Sequence, residues 1–310
     1  MQKIPLIAVV GPTASGKTGL GIELALEYGG EVISADSMQI YKGISIASAA
    51  PSDRETKGIK HHLVEFLNRE DSFSVADYVN LADKTIYDVF SRGKQPILVG
   101  GTGLYVNSLV DGIEFAKQET DIELRTELEE EMEKVGAEEM LRRLSAFDHE
   151  AAEKLHPNNK RRIIRAFEVY KTTGITQTQQ NAISRQKGSK YNSVLIGITY
   201  YDREILYNRI NARVDKMLQS GLLEEAKTTL TLSIGEGAMQ AIGHKELHRY
   251  LRGEVSLQQA VETLKTETRR YAKRQLTWFN KRDDINWIYA DRENVLERAK
   301  EIINRREING

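Results

Sequence analysis

The stretch that decides the fold is Gly11-Pro12-Thr13-Ala14-Ser15-Gly16-Lys17-Thr18, which matches the phosphate-loop pattern G-x-x-x-x-G-K-[ST] at every fixed position. An apolar run precedes it and a helical pattern follows it. Glycines let backbone N–H groups turn towards an anion, and the following helix adds the positive end of its dipole. Lys17 supplies a full positive charge, and the Thr18 hydroxyl can bind Mg²⁺. The stretch therefore predicts a site for a phosphorylated ligand.

Outside this loop, short apolar runs alternate with helical patterns along the chain. The runs typical of buried strands are Leu6–Val10, Glu31–Ser34, Pro96–Gly100, Val194–Thr199 and Ile285–Tyr289. Strands that alternate with helices favour a parallel sheet with right-handed crossovers. The predicted fold class is α/β, a P-loop-containing parallel sheet flanked by helices.

One interval interrupts the alternation. Between about Ala116 and Lys190 the sequence shows helical patterns and no convincing strand. We therefore predict an all-helical insertion domain at 116–190, and an α/β core with C-terminal helices made of 1–115 and 191–310.

Composition excludes several classes of protein. The 310 residues include no cysteine, which excludes disulfides, thiol catalysis and cysteine-based metal sites. The N-terminus does not look like a signal peptide, and no run approaches the ~18 apolar residues of a membrane span. The net charge of −1 gives no evidence of a polyanionic partner. We expect a cytoplasmic protein without a membrane partner or an obligate protein partner, and nothing demands more than a monomer.

A carboxylate follows the second predicted strand. Asp36 comes two residues after that strand, at the sheet edge where open α/β sheets bind ligands. It could bind magnesium, accept a proton or cap a helix, and its place near the phosphate loop favours a catalytic role.

A glycine-rich turn, Gly100-Gly101-Thr102-Gly103, follows the third predicted strand. Phosphate-loop NTPases usually carry a magnesium-organising aspartate here, so the usual NTPase residues are incomplete. Thr102 could hydrogen-bond a ligand, although a tight packing turn explains the glycines equally well.

Basic residues cluster on three predicted helices. Arg209 and Arg213 are four residues apart and share a face, as arginines that close over phosphates do. A later helix carries Lys265, Arg269, Arg270, Lys273 and Arg274, a cluster opposed only by Glu267. Lys160, Arg161, Arg162 and Arg165 form the cluster of the insertion. Each cluster alone is typical of a solvated face, but two basic clusters in separate regions indicate a long polyanion such as a nucleic acid.

Taken together, the motifs resemble one family. They are the phosphate loop, Ser34–Tyr41, His61-His62-Leu63, Val99–Tyr105, Gln240-Ala241-Ile242-Gly243 and Arg269–Gln275. In this order they resemble the bacterial tRNA dimethylallyltransferases, also called tRNA isopentenyltransferases, over almost the whole chain. The resemblance implies transfer of a dimethylallyl group from dimethylallyl diphosphate to the exocyclic amine of the adenosine 3′ to the tRNA anticodon. It also implies that the phosphate loop holds diphosphate and not ATP, and that the adenosine is flipped out of the anticodon loop.

The resemblance also implies roles for individual residues. Asp36 looks like the general base, Thr102 like a contact to the flipped base, and Thr18 like the ligand of a Mg²⁺ cofactor. Residues 11–18 would hold the diphosphate, with Lys17 and one or both of Arg209 and Arg213 neutralising its charge. Positions implied to contact the tRNA anticodon stem-loop are Asp36, Ser37, Met38, Gln39, Thr102, Arg125, Arg161, Arg162, Ile163, Ile164 and Arg165. Arg269, Arg270, Lys273 and Arg274 join them as the basic helix face.

Two other functions would use the same loop. A small-molecule or nucleoside kinase would need ATP, and a non-catalytic RNA-binding or NTPase switch module would not transfer a group. The glycine-rich turn in place of an aspartate counts against both, and the basic clusters count against the kinase.

Overall fold

A computed structural model describes residues 3–115, 121–231, 235, 237–238 and 241–309, with the backbone alone for 306–309. Ala116, where the sequence places the start of the insertion, and Gln240 of the quoted motif lie outside the described residues. The chain forms two compact units, 1–110 together with 189–310, and 111–188.

The first unit is built on a parallel sheet. Its strands are β1 (Ile4–Val10), β2 (Gly30–Ser34), β3 (His61–His62), β4 (Gln95–Gly100), β5 (Tyr191–Thr199) and β6 (Ile285–Tyr289). Their order in the sheet is β3-β2-β4-β1-β5-β6, with every pair parallel. The predicted α/β class and all five predicted strands are therefore confirmed.

Helices lie between and after the strands in the sequence. In chain order they are α1 (Lys17–Glu27), α2 (Ser45–Ser48), α3 (Asp53–Thr56), α4 (Val75–Ser91), α5 (Gly103–Val110), α6 (Ile122–Val135), α7 (Ala137–Phe147), α8 (His149–Glu153), α9 (Lys160–Thr173), α10 (Gln177–Ser184), α11 (Arg203–Gln219), α12 (Leu222–Thr231), α13 (His244–Leu251), α14 (Leu257–Phe279) and α15 (Val295–Asn309). No helix in the described ranges combines the length and the apolar character that a membrane crossing needs.

Strand β1 lies inside the sheet and is buried on both faces. Leu6, Ala8 and Val10 pack in one hydrophobic core with residues of α4, α5 and α14. Ile7 and Val9 pack in a second core with residues of α1 and α15. Successive side chains of a strand point to opposite faces, so a continuous apolar run fits a strand covered on both sides.

The two-residue strand β3 was not predicted from the sequence. His62 Nε2 lies 2.7 Å from Glu31 Oε2, and Arg92 binds the same carboxylate through two hydrogen bonds of 2.7 Å. These Arg92 hydrogen bonds, helped by His62, lower the pKa of Glu31 to about 2 against the opposing effect of burial. A polar network thus holds this edge strand, which explains why no apolar pattern marks it.

The carboxyl ends of three strands meet at one edge of the sheet. Val10 at the end of β1 pairs with Gly100 at the end of β4, and Ser34 at the end of β2 pairs with Val99. The register therefore places the phosphate loop, Asp36 and the Gly101-Thr102 turn at the same edge, where open α/β sheets bind their ligands.

The second unit is helical in its described part and contains α6 to α10. Its core is formed by Leu128, Met132, Met140, Ile163 and Ile164. Asp148 joins two of its helices, because it accepts hydrogen bonds from Ala151 N and from both N and Oγ1 of Thr178.

Candidate active site

The phosphate loop runs closely against the end of β5. A Cβ on Gly11 would lie 2.4 Å from the carbonyl oxygen of Ile198, so only glycine fits there. The loop is closed by a hydrogen bond from Ser15 N to Pro12 O at 3.3 Å, and α1 begins at Lys17. The backbone thus has the tight turn and the helix start that a bound anion requires.

Lys17 has an unusual electrostatic environment. Its Nζ donates a hydrogen bond to Pro12 O at 3.2 Å. Burial and the neighbouring charge of Arg213 lower the pKa of Lys17 to about 8, against the opposing effect of Asp36. A bound anion would favour the charged ammonium.

A cavity of about 320 Å³ opens beside the loop, and we call it the loop cavity. Its polar lining residues include Lys17, Thr18, Asp36 and Arg213. Its apolar lining residues include Ala47, Val214, Met217, Ile242 and Leu264, which pack in one hydrophobic cluster and therefore form a continuous apolar wall. The cavity can therefore hold a ligand with an anionic head and a short apolar group.

The structure separates the roles of the two arginines on α11. Arg213 lines the loop cavity, and burial lowers its pKa. The Nε of Arg209 instead donates to Ala14 O at 3.0 Å, and its guanidinium lies 5.4 Å from the centre of the Tyr200 ring. Arg213 is thus placed to bind an anion in the cavity, whereas Arg209 holds the outside of the phosphate loop.

Asp36 is fixed by the turn that follows β2. Its Oδ1 accepts hydrogen bonds from Met38 N at 2.9 Å and Gln39 N at 3.4 Å. Its Oδ2 accepts no hydrogen bond from the described residues, and the side chain lines the loop cavity. One oxygen therefore orients the carboxylate and the other can accept a proton from a ligand.

Thr102 and Gln39 make contacts within the protein. Thr102 Oγ1 accepts a hydrogen bond from Ser37 N at 2.9 Å. The Gln39 amide accepts from Ser34 Oγ at 2.8 Å and donates to Ala49 O at 3.2 Å. Their predicted contacts with RNA remain predictions, and the visible role of both side chains is to shape the turn that carries Asp36.

Gln275 links the phosphate loop to the glycine-rich turn, a role that sequence reasoning missed. Its Oε1 accepts from Thr13 N at 2.8 Å, and its Nε2 donates to Gly101 O at 2.9 Å. A Cβ on Gly101 would lie 2.2 Å from that Nε2, so this glycine permits the close approach of α14. The sequence signal is a glutamine one turn after Tyr271 on the basic helix, but its partners lie more than 170 residues away.

Glu225 supports the apolar side of the cavity and was also missed. Its two carboxylate oxygens accept hydrogen bonds from Ile46 N and Ala47 N, both at 2.9 Å. His244 Nε2 lies 2.8 Å from Glu225 Oε1. This buried pair therefore fixes the backbone beside the cavity wall.

The basic face of α14 is narrower than its sequence suggests. Lys265 binds Asp215 at 2.8 Å, so the prediction that only Glu267 opposes this cluster is wrong. Arg269 donates to Asn211 Oδ1 at 2.7 Å, and Arg270 lies 2.5 Å from Glu267. Lys273 and Arg274 are exposed, and Arg274 also lines the loop cavity.

The arginines predicted to bind RNA in the second unit lie on α6 and α9. Arg161, Arg162 and Arg165 are exposed on α9. The buried carboxylate of Glu168 lies 3.9 Å from Arg125 and 3.3 Å from Arg165. Both arginines are thus held by one acidic side chain.

Two residues of α9 that were predicted to contact tRNA are buried instead. Ile163 and Ile164 are 0% and 4% exposed and belong to the core of the second unit. Their side chains are not available to a tRNA, so the predicted contacts fail for them. Helical periodicity explains this difference, because adjacent arginines and isoleucines point in different directions from one helix.

The chain is a P-loop α/β protein whose cavity pairs an anion site with an apolar wall, and Gly-Gly-Thr stands after β4 where NTPases carry a carboxylate. A family model described as IPP transferase matches residues 39–282. The chain therefore belongs to the IPP transferase family.

Individual relatives agree with this assignment. The tRNA dimethylallyltransferase of Acetivibrio thermocellus is 49% identical over 288 residues, which cover 92% of each chain. The crystal structure of the tRNA isopentenylpyrophosphate transferase from Bacillus halodurans is 43% identical, with a TM-score of 0.72 over 97% of this chain and 95% of that one. A eukaryotic dimethylallyltransferase acting on tRNA is 28% identical, with a TM-score of 0.80 over 98% of this chain and 78% of that one.

Proposed function

We propose that this protein transfers a dimethylallyl group from dimethylallyl diphosphate to the exocyclic amine of the adenosine 3′ to a tRNA anticodon. The observation that carries the proposal is the loop cavity, which joins a phosphate loop, an apolar wall and the carboxylate of Asp36. The relatives named above, which act on tRNA, support the choice of acceptor.

The anionic end of the cavity suits a diphosphate leaving group. As the bond between C1 of the allyl group and the diphosphate oxygen breaks, the bonding electrons leave with the diphosphate. Lys17 and Arg213 face the same end of the cavity and stabilise this charge, and the backbone N–H groups at the start of α1 add to it.

Asp36 completes the transfer. The lone pair of the adenine amine forms the new N–C1 bond, and the amine proton passes to the carboxylate oxygen that accepts no hydrogen bond from the described residues. The amine is a weak base, so holding it against C1 contributes more than proton removal.

A magnesium ion fits this site. The described residues contain no group of three or more His, Cys, Asp or Glu side chains that could hold a metal, so a cage built from protein alone is absent there. Magnesium is commonly bound by one or two protein oxygens together with substrate phosphates and water, and the Thr18 hydroxyl beside the anion site meets that requirement. Bound there, Mg²⁺ would supply further neutralisation of the leaving diphosphate.

The basic surfaces suit the anticodon stem-loop. Exposed Lys273 and Arg274 on α14, and exposed arginines on α9, offer charges to RNA phosphates. The acceptor base lies within a stacked loop, so it must be flipped out to reach Asp36. A monomeric, cytoplasmic enzyme without an obligate protein partner stays a prediction.

Label transfer to tRNA tests the proposed function. The protein is incubated with Mg²⁺, labelled dimethylallyl diphosphate and a tRNA with adenosine 3′ to its anticodon, and a matched tRNA with another base at that position serves as the control. We expect label in the first tRNA only. Consumption of ATP without labelled tRNA would contradict the proposal and favour a kinase.

Diphosphate binding should depend on the charge of Lys17. Because its pKa is about 8, the ammonium is charged below that pH and loses its charge above it. The affinity of the protein for inorganic diphosphate should therefore fall as the pH rises through about 8. Calorimetric titration between pH about 6.5 and about 9.5 would measure this fall.

A Lys17→Arg variant provides the control for that titration. Arginine stays charged over this range, so the variant should lack the fall. The diphosphate itself also changes its protonation over this pH range. That change affects both proteins equally, so it does not alter the difference between their pH profiles. Identical pH profiles would exclude Lys17 as the source of the effect.

A further inference from the structure

We propose that Met217 limits the transferred group to five carbons by closing the apolar end of the loop cavity. The inference rests on the proposed function, because it assumes that the allyl chain lies along the apolar wall. Met217 belongs to none of the sequence motifs, and the sequence predicted no role for it.

A second cavity of about 940 Å³, which we call the outer cavity, adjoins the loop cavity. Among the described residues, the two cavities share Thr18, Ala49, Arg213 and Met217 as lining residues. These four residues therefore lie where the two cavities meet, and we call them the partition.

The four residues of the partition differ in chemistry. Thr18 and Arg213 belong to the anion-binding end of the cavity, where the diphosphate is proposed to lie. Ala49 carries only a methyl group. Met217 is the one member of the four with a long apolar side chain, so it is the part of the partition that an allyl chain meets.

Met217 lies close to the anion site along α11. It follows Arg213 by four residues and lies on the same face, about one turn or ~6 Å further along the helix. A chain whose diphosphate is held at Arg213 thus reaches Met217 after a short apolar span. Val214 and Leu264 are each 1% exposed, line the loop cavity and belong to the cluster against which Met217 packs, so they bound the apolar part of the cavity.

The outer cavity has both charged and apolar lining residues, and Ile22, Ile46 and Pro51 are among the apolar ones. Ile46 packs in the same hydrophobic cluster as Met217, so it offers apolar surface to a longer chain. The side chain of Met217 is unbranched and flexible, and it occupies the space between the two cavities. Shortening it would join the two cavities and admit a second isoprene unit.

The test compares two diphosphates in one assay. Wild-type protein and Met217→Ala are each supplied with the same tRNA and with dimethylallyl diphosphate or geranyl diphosphate. We expect the ratio of kcat/KM for geranyl to kcat/KM for dimethylallyl diphosphate to rise by about tenfold or more in the variant. Mass spectrometry of the nucleosides identifies the transferred group.

A matched control comes from the next residue. Leu218 lies on the same helix and packs in the same cluster, but it lines neither cavity in the described part of the chain. Leu218→Ala should leave the ratio unchanged. Met217→Phe, which enlarges the partition, should lower transfer from dimethylallyl diphosphate while tRNA affinity stays the same.

The outcomes separate this inference from the proposed function. A folded Met217→Ala that uses dimethylallyl diphosphate with an unchanged ratio overturns the role of Met217 and leaves the proposed function standing. If Met217→Ala does not fold, Met217→Val supplies the same comparison with a smaller truncation. Wild-type protein that transfers neither group overturns the proposed function and this inference with it.

Discussion

Replacing Asp36 with asparagine should lower the rate of dimethylallyl transfer by about 10²- to 10⁴-fold, the range that removal of a general base produces. Asparagine keeps an oxygen that can accept the hydrogen bonds from Met38 N and Gln39 N, so the turn after β2 should persist. It cannot take the amine proton. Single-turnover measurements with saturating tRNA and dimethylallyl diphosphate would report the rate.

The affinity for tRNA distinguishes a catalytic role from a binding role. We expect Asp36→Asn to bind tRNA about as tightly as wild-type protein at the same salt concentration. Asp53→Asn is the control. It removes a carboxylate from the outer cavity and should change neither the rate of transfer nor the affinity for tRNA. Weak tRNA binding with an unchanged rate would contradict the assignment of Asp36 as the base.

Replacing Arg213 with alanine should lower kcat/KM for dimethylallyl diphosphate by about 100- to 1,000-fold, as loss of a group that stabilises developing negative charge does. The guanidinium lines the loop cavity beside Lys17, where the leaving diphosphate is proposed to lie. Lysine at this position should restore only part of the activity, because it lacks the planar fork of arginine.

Arg209→Ala is the matched control, since it removes the same charge one turn away on α11. Arg209 binds Ala14 O from outside the loop, so its loss should cost about tenfold or less, largely through a looser loop. Steady-state kinetics with varied dimethylallyl diphosphate would compare the variants. A larger loss in Arg209→Ala than in Arg213→Ala would reverse the assignment of the two arginines.

Sequence patterns predicted the elements whose signals are local. The strand–loop–helix around Gly11–Thr18 follows from a fixed motif and its flanking apolar runs. The same reasoning predicted five strands, because strands buried on both faces show as continuous apolar runs. Strand β3 was not predicted, because it consists of two histidines and shows no such run. His62 is held there by Glu31, which also binds Arg92.

The candidate site was predicted in part. Asp36, Lys17, Thr18 and Arg213 were identified from motifs and spacing, and they line one cavity. The sequence did not show which of Arg209 and Arg213 binds the anion, because both lie on one face of a helix and differ only in their tertiary contacts. It also assigned Ile163 and Ile164 to an RNA surface, although the helix turns them into a core.

The sequence by itself determined the α/β class, the phosphate loop and the carboxylate after β2, because each is encoded in a few consecutive residues. Tertiary structure alone decided which distant side chains complete the site. Gln275 reaches Thr13 across 262 positions, and Met217 lines two cavities whose other lining residues come from remote segments. The physical reason is that local patterns report secondary structure and burial, whereas a cavity depends on how packed elements meet.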